Sequence, residues 1–134
     1  MEINREEIQK IAVEAENLQR MHKMLRDQIV ALNMSALEAS VTINSLEKIK
    51  GGEHSLVSLG SGVFASASMS KSKYVLLDLG GGICGEMSSE KAIELLKKRI
   101  EDSREITKRL EEDLKRVQNS LIELEGRARR YIQQ

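Results

Sequence analysis

Two apolar seams, each unbroken over twelve positions and complementary to one another, constrain this chain more than any other feature. The first runs through Ile8, Ile11, Ala15, Leu18, His22, Leu25, Ile29, Leu32, Ala36, Ala39, Ile43 and Leu46. The second runs through Ile93, Leu96, Ile100, Ser103, Thr107, Leu110, Leu114, Val117, Leu121, Leu124, Ala128 and Tyr131. Steps of three and four alternate without a slip in both, which is the 3.5-residue period of a coiled coil. If the chain folds back on itself, Ile8 faces Tyr131, Leu46 faces Ile93, and every pair between them has numbers that add to 139. In this register each a position meets a d position, Ala36 meets Ser103, and Leu25 meets Leu114. The seams predict an antiparallel helical hairpin within one chain, with a paired stretch roughly 60 Å long at 1.5 Å per residue.

Glycine divides the 134 residues into three parts. Residues 1–50 have none, 51–88 hold eight of the nine, and 89–134 hold only Gly126. The middle part reads as four short strands, His54–Leu59, Val63–Met69, Tyr74–Leu79 and Ile83–Met87. Gly60-Ser61-Gly62 and Gly80-Gly81-Gly82 supply tight turns that need positive φ, and Ser70-Lys71-Ser72-Lys73 joins the two hairpins. Ser88 or Ser89 caps the returning helix, and Glu90 suits its N-terminal dipole. Two lone hairpins are not stable in water, so their edges and apolar faces call for partners. The fold class expected is α+β: a long antiparallel coiled-coil hairpin carrying a four-stranded insert that oligomerises. On the period of two along a strand, Val63, Ala65 and Ala67 share one face and Val75, Leu77 and Leu79 another; these, with Leu56 and Ile83, are the assembly positions expected.

Composition removes several function classes. Aromatics amount to Phe64, Tyr74 and Tyr131, and tryptophan is absent. Lys+Arg and Asp+Glu both total 21, leaving a net charge of zero with histidine neutral. There is neither a field for phosphate backbones nor a platform for stacking bases, so no nucleic acid is expected. No run of about 18 apolar residues is present and the N-terminus lacks a signal-peptide pattern, so no membrane is expected and the chain reads as soluble and cytoplasmic. The lone Cys84 fits a reducing compartment.

Catalytic and metal chemistry find no support. Asp78-Leu79-Gly80-Gly81-Gly82 has the outline of a phosphate-cradling loop, but Ile83 stands where such a loop needs Ser or Thr, and neither glycine cluster matches the Walker pattern. A hairpin turn is the reading preferred. His22, His54 and Cys84 lie on distant elements without zinc-type spacing. His22 occupies a coiled-coil core position, where one polar residue sets register, and its expected neighbour is Val117. No enzyme activity, cofactor or metal is expected. Arg127, Arg129 and Arg130 complement the dipole of a final helical turn, or else meet an acidic partner.

Apolar residues off the seams fall into two groups. Val30, Met34, Leu37 and Val41 lie toward the insert. Ile3, Val13 and Ile122 lie toward the free ends of the helices, where Ile8 and Tyr131 form the terminal seam layer and Ile132 sits beside it. These six, Ile3, Ile8, Val13, Ile122, Tyr131 and Ile132, form the apolar patch expected at the free ends.

The insert carries a family likeness. Ser55-Leu56-Val57-Ser58-Leu59-Gly60-Ser61-Gly62-Val63-Phe64 resembles the first hairpin of prefoldin, with Ser58 where proline is common. Tyr74-Val75-Leu76-Leu77-Asp78-Leu79-Gly80-Gly81-Gly82 resembles the second, and Ala92-Ile93-Glu94-Leu95-Leu96-Lys97-Lys98-Arg99-Ile100 resembles the return helix. The likeness covers the whole chain as a single prefoldin domain, and two hairpins match the alpha class of archaeal type. It implies a heterohexamer of two alpha and four beta subunits, with the four-stranded inserts oligomerising into a β-barrel. It also implies ATP-independent capture of non-native proteins at coiled-coil tips, here by Ile3, Ile8, Val13, Ile122, Tyr131 and Ile132, and their transfer to a group II chaperonin. The alternatives are a prefoldin-like chain that self-assembles into filaments and a coiled-coil scaffold without chaperone activity.

Overall fold

The structure, a computed structural model, describes residues 2–49, 54–69 and 74–132, with side chains from residue 4 onward. The side chain of Ile3 and the 70–73 connection therefore lie outside the described residues. The elements in chain order are α1 (Glu2–Lys48), β1 (His54–Gly60), β2 (Val63–Ser68), β3 (Tyr74–Gly80), β4 (Ile83–Ser88) and α2 (Ser89–Ile132). The predicted strands differ from these by a residue at their ends. The chain divides into two compact units, one of Met1–Ala36 with Asp102–Gln134 and the other of Leu37–Glu101.

Burial along the helices follows the seams. Every seam position of α1 is buried or half-buried except Ile8, and the only other described α1 side chain not fully exposed is Glu7. In α2 all twelve seam positions are buried or half-buried. Within the first unit the interhelical register is visible directly. Leu32, Ala36, Ser103 and Thr107, two pairs of the expected register, line one small cavity of about 110 Å³. The void arises because the Ala36 and Ser103 layer is too small to fill the interface. His22, half-buried, has its Nε2 3.3 Å from the Gln118 side-chain amide nitrogen, next to the buried Val117. In the tautomer with the proton on Nδ1, that amide donates to Nε2, so the core histidine is satisfied across the helix pair.

This register sets the expectation for a cross-linking experiment. Cysteines at Leu18 and Leu121, in a Cys84→Ser background, will form a disulfide within one chain. The pair Leu18 and Leu110, about three turns out of register, will not. Intermolecular bonds predominating at dilute concentration would overturn the intrachain hairpin.

In the second unit, β1 pairs antiparallel with β2 and β3 with β4, as two separate two-stranded sheets. Gly60, Ser61 and Gly62 have φ of 99°, 52° and 76°, and Gly80, Gly81 and Gly82 have 96°, 64° and 80°. These left-handed values explain why glycine crowds both turns. Asp78 closes its turn by accepting the Gly80 N–H at 2.9 Å on Oδ1, and Ser58 does the same for Gly60 at 3.4 Å. The Asp-Gly-Gly-Gly segment is a hairpin turn, as the sequence indicates. Of the two capping serines, Ser88 takes the role: its Oγ accepts the Lys91 N–H at 3.1 Å.

Candidate functional site: open hairpins and free helix ends

The strand registers sort the predicted assembly residues by face. In the first hairpin, Ser55 opposes Ala67 and Val57 opposes Ala65. With Val63 two residues before Ala65, these side chains share one face. Leu56 opposes Ser66 and Ser58 opposes Phe64, so Leu56 stands on the other face, 74% exposed. In the second hairpin, Val75 opposes Met87 and Leu77 opposes Gly85, with Ile83 on the same side. Leu79 joins them across the bulge. A Cβ built on Gly85 would come within 2.9 Å of Leu79 Cδ1 and 3.5 Å of Met87 Cε, so Leu79 lies over the glycine. Leu77, Leu79 and Met87 thus gather around a residue that has no side chain of its own. The large apolar residues Leu56, Leu59, Val63, Phe64, Leu76, Leu79 and Ile83 remain exposed in the chain alone.

A tie between the second hairpin and α2 was not foreseen. Arg99 Nη2 donates to the main-chain carbonyl of Asp78 at 2.7 Å. Ala92, 1% exposed, and the half-buried Leu95 lie off the seam on the same side of α2 as Arg99. The signal was present in the sequence as two apolar residues off the seam, one of them seven residues before the arginine. Among the described residues the first hairpin has no corresponding side-chain bond to a helix.

At the free ends of the helices, Ile8, Val13, Ile122 and Ile132 are all exposed and Tyr131 is half-buried. Val13 lies in an open hollow of about 510 Å³ with Glu6, Gln9, Lys10, Glu14 and Asn17. Farther along the same unit, Met21, Met24, Leu25 and Val117 line a hollow of about 350 Å³ rimmed by Gln28, Asp113 and Arg116. Sequence reading overlooked the two methionines, which flank the seam rather than occupy it. Flexible thioether side chains adapt to apolar groups of different shape. Arg129 is paired with Glu125 at 2.8 Å, an i,i+4 bridge within α2. Among the described residues α1 is the one helix long and apolar enough to cross a membrane by length and composition. Val30, Met34, Leu37 and Val41, all exposed, add to the seam in raising its hydropathy, while Asn33, Ser35, Glu38, Ser40 and Thr42 are interspersed among them. This is the pattern of a coiled-coil helix with an additional apolar row.

Comparison with known proteins accounts for this combination of arms and insert. The family model described as prefoldin subunit matches residues 11–134. The chain belongs to the prefoldin family. Among curated prefoldin alpha subunits, that of Thermofilum pendens is 33% identical, over 92% of this chain and 93% of its own length. That of Pyrococcus horikoshii is 30% identical, over 92% and 82%, and that of Methanosarcina barkeri 27%, over 99% and 96%. Among solved structures, filamentous PFD from Methanocaldococcus jannaschii matches with a TM-score of 0.58 at 21% identity, over 92% of this chain and 98% of the other. That likeness concerns the fold. Prefoldin is a chaperone family whose members assemble with other prefoldin subunits, and the curated relatives matched over nearly the whole chain place it with the alpha type.

Proposed function

We propose that this chain is the alpha subunit of an ATP-independent holdase, in which two alpha and four beta subunits join through their hairpins and hold unfolded proteins at the ends of the helical arms. In this reading residues 1–134 act as one unit, with 1–50 and 89–134 as the arm and 51–88 as the assembly insert. The observation that carries it is the contrast between the two ends of the sequence plan. The insert presents open strand edges and exposed apolar side chains that a two-stranded sheet cannot cover alone. The helix ends present Val13, Ile122 and Ile132 to solvent at positions where a coiled coil normally carries polar residues, and leave the terminal seam residue Ile8 exposed. The Met21 and Met24 hollow extends that adaptable surface along the arm. Clients bound in this way are passed, without nucleotide hydrolysis, to a group II chaperonin in the cytoplasm.

Aggregation of a chemically unfolded client tests the reading. The chain assembled with beta subunits will suppress light scattering at near-stoichiometric ratios without ATP, and the chain alone will do so weakly, because one tip offers little area and several tips act together. Equal scattering with and without the assembled complex would reject the holdase in favour of a scaffold. A filament-forming assembly is the second reading, supported by the shared fold with a filamentous prefoldin. Light scattering on the chain without beta would show it as mass rising without limit.

A further inference from the structure

The two hairpins are copies of one design. Each element of the second begins 20 residues after its counterpart, β1 at 54 and β3 at 74, β2 at 63 and β4 at 83. Their registers agree pair for pair, and both slip at the same place, between Ser58 and Gly60 in one and between Asp78 and Gly80 in the other. What separates them is how each is held.

The second hairpin is fixed to α2 at two points. β4 ends at Ser88 and α2 begins at Ser89, with no residue between them, and the Ser88 hydroxyl caps the helix by accepting the Lys91 N–H. The other point is the bond from Arg99 to the Asp78 carbonyl. The lengths agree. Asp78 is paired with Cys84, four residues before Ser88, or about 13 Å at the rise of a strand. Arg99 lies eleven residues after Ser88, about 16 Å at the rise of a helix, and helical side chains lean back toward the N-terminus. Strand and helix are therefore two sides of a triangle that the Arg99 side chain closes. Between the two points Ala92 is 1% exposed and Leu95 half-buried, in the same row of α2 as Arg99.

The first hairpin has no such second point among the described residues. In the intrachain register Ser40 is level with Arg99, and residues 28–46 of α1 carry a single charge, Glu38. After Arg26 the one cation of α1 is Lys48, in its last turn. α1 has no donor at that level with the reach of an arginine.

We infer that Arg99 is a clasp that fixes the second hairpin along α2 in the free chain and leaves the first to its own strand pairing, so that half of the insert is rigid before any other molecule meets it. A surface set in advance loses less freedom on binding. Where the hairpins are the assembly element, the clasp therefore strengthens assembly without touching the partner; this consequence rests on the proposed function.

Amide hydrogen exchange on the free chain tests the clasp. In the wild type the β3–β4 amides will be roughly five- to tenfold better protected than those of β1–β2, as one charge-assisted hydrogen bond in an open site allows. Arg99→Met keeps side-chain length and helix propensity but removes the donor. It will lower β3–β4 protection to the level of β1–β2 and leave both helices unchanged. Arg99→Lys, which retains a donor, will keep most of the protection. Arg109→Met, an equal loss of charge elsewhere on α2, will have no effect. Protection of β3–β4 unchanged by Arg99→Met, or lost equally with Arg109→Met, would overturn the clasp. Titration with beta subunits tests the consequence: Arg99→Met will weaken assembly by a similar factor, and Arg99→Lys will not. Full-strength assembly by a chain whose β3–β4 protection is lost would overturn the preorganising role. Failure of the assembly reading shows separately, as a wild-type chain that does not assemble with beta although its exchange pattern is the one expected.

Discussion

Replacing Val63 and Leu77 together by glutamate will abolish assembly with beta subunits while leaving the chain as helical as before. The two residues lie on corresponding faces of the two hairpins, so each change strikes one of the repeated surfaces. Leu77 is half-buried in the chain alone and sits with Leu79 and Met87 around Gly85. Val63 pairs with Gly60 at the mouth of its turn and is 54% exposed. Assembly that covers these positions would have to bury an ionised carboxylate without a partner, at a cost of about 3 kcal/mol or more for each. That corresponds to an affinity loss of more than about a hundredfold per interface. The helices have their own seam and do not depend on these residues, so far-ultraviolet circular dichroism will change little. Hexamer mass retained in the double variant would remove the insert from assembly.

The long-range features of this fold were legible because the coiled-coil period is a global constraint. One inserted residue between Leu18 and Leu32 would move the rest of the seam off the contact line, so eleven unslipped steps in each seam are legible from spacing alone. Complementary layers such as Ala36 with Ser103 then fixed which helix met which, and the cavity they line together is a consequence of that smallness. The turns were legible for a different reason. Five glycines adopt positive φ, where other residues are strained, and Ser61 is the one described non-glycine residue to share it.

What could not be read is what depends on contacts between unlike elements. Period-two alternation does not say which face of a hairpin is covered, and only the register shows that Leu56, opposite Ser66, lies on the face away from Ala65 and Ala67. Arg99 looked like one more cation on a charged helix. Its bond to the Asp78 carbonyl spans 21 residues and follows from where the hairpin turns back, a distance that helical periodicity does not encode. Met21 and Met24 were passed over because a side chain beside the seam reads as solvated until the groove it lines is seen.

Trimming the free ends of the arms will remove client holding without disturbing assembly. The exposed residues Val13, Ile122 and Ile132 occupy outward or flanking positions, with Ile132 75% exposed. Ile8, 41% exposed, is the one described position of the α1 seam that its partner helix leaves open. With Tyr131 half-covered at the other end of the same layer, the terminal turns hold apolar area that intrachain packing does not use. Singly, such residues are ordinary on a protein surface; gathered where a coiled coil ends, they give an unfolded chain somewhere to place its own apolar side chains. Each tip will bind weakly, because the contact is small and ordering the client costs entropy. In the proposed hexamer, six tips would raise the effective concentration and strengthen capture by about a hundredfold or more. Deleting residues 1–7 and 130–134, or changing Ile3, Val13, Ile122 and Ile132 to serine, will therefore leave hexamer mass unchanged. Suppression of client aggregation will fall several-fold, and it will be lost when the beta tips are trimmed as well. Complete suppression by the fully trimmed hexamer would mean that clients bind elsewhere, and the Met21 and Met24 hollow would be the next surface to change.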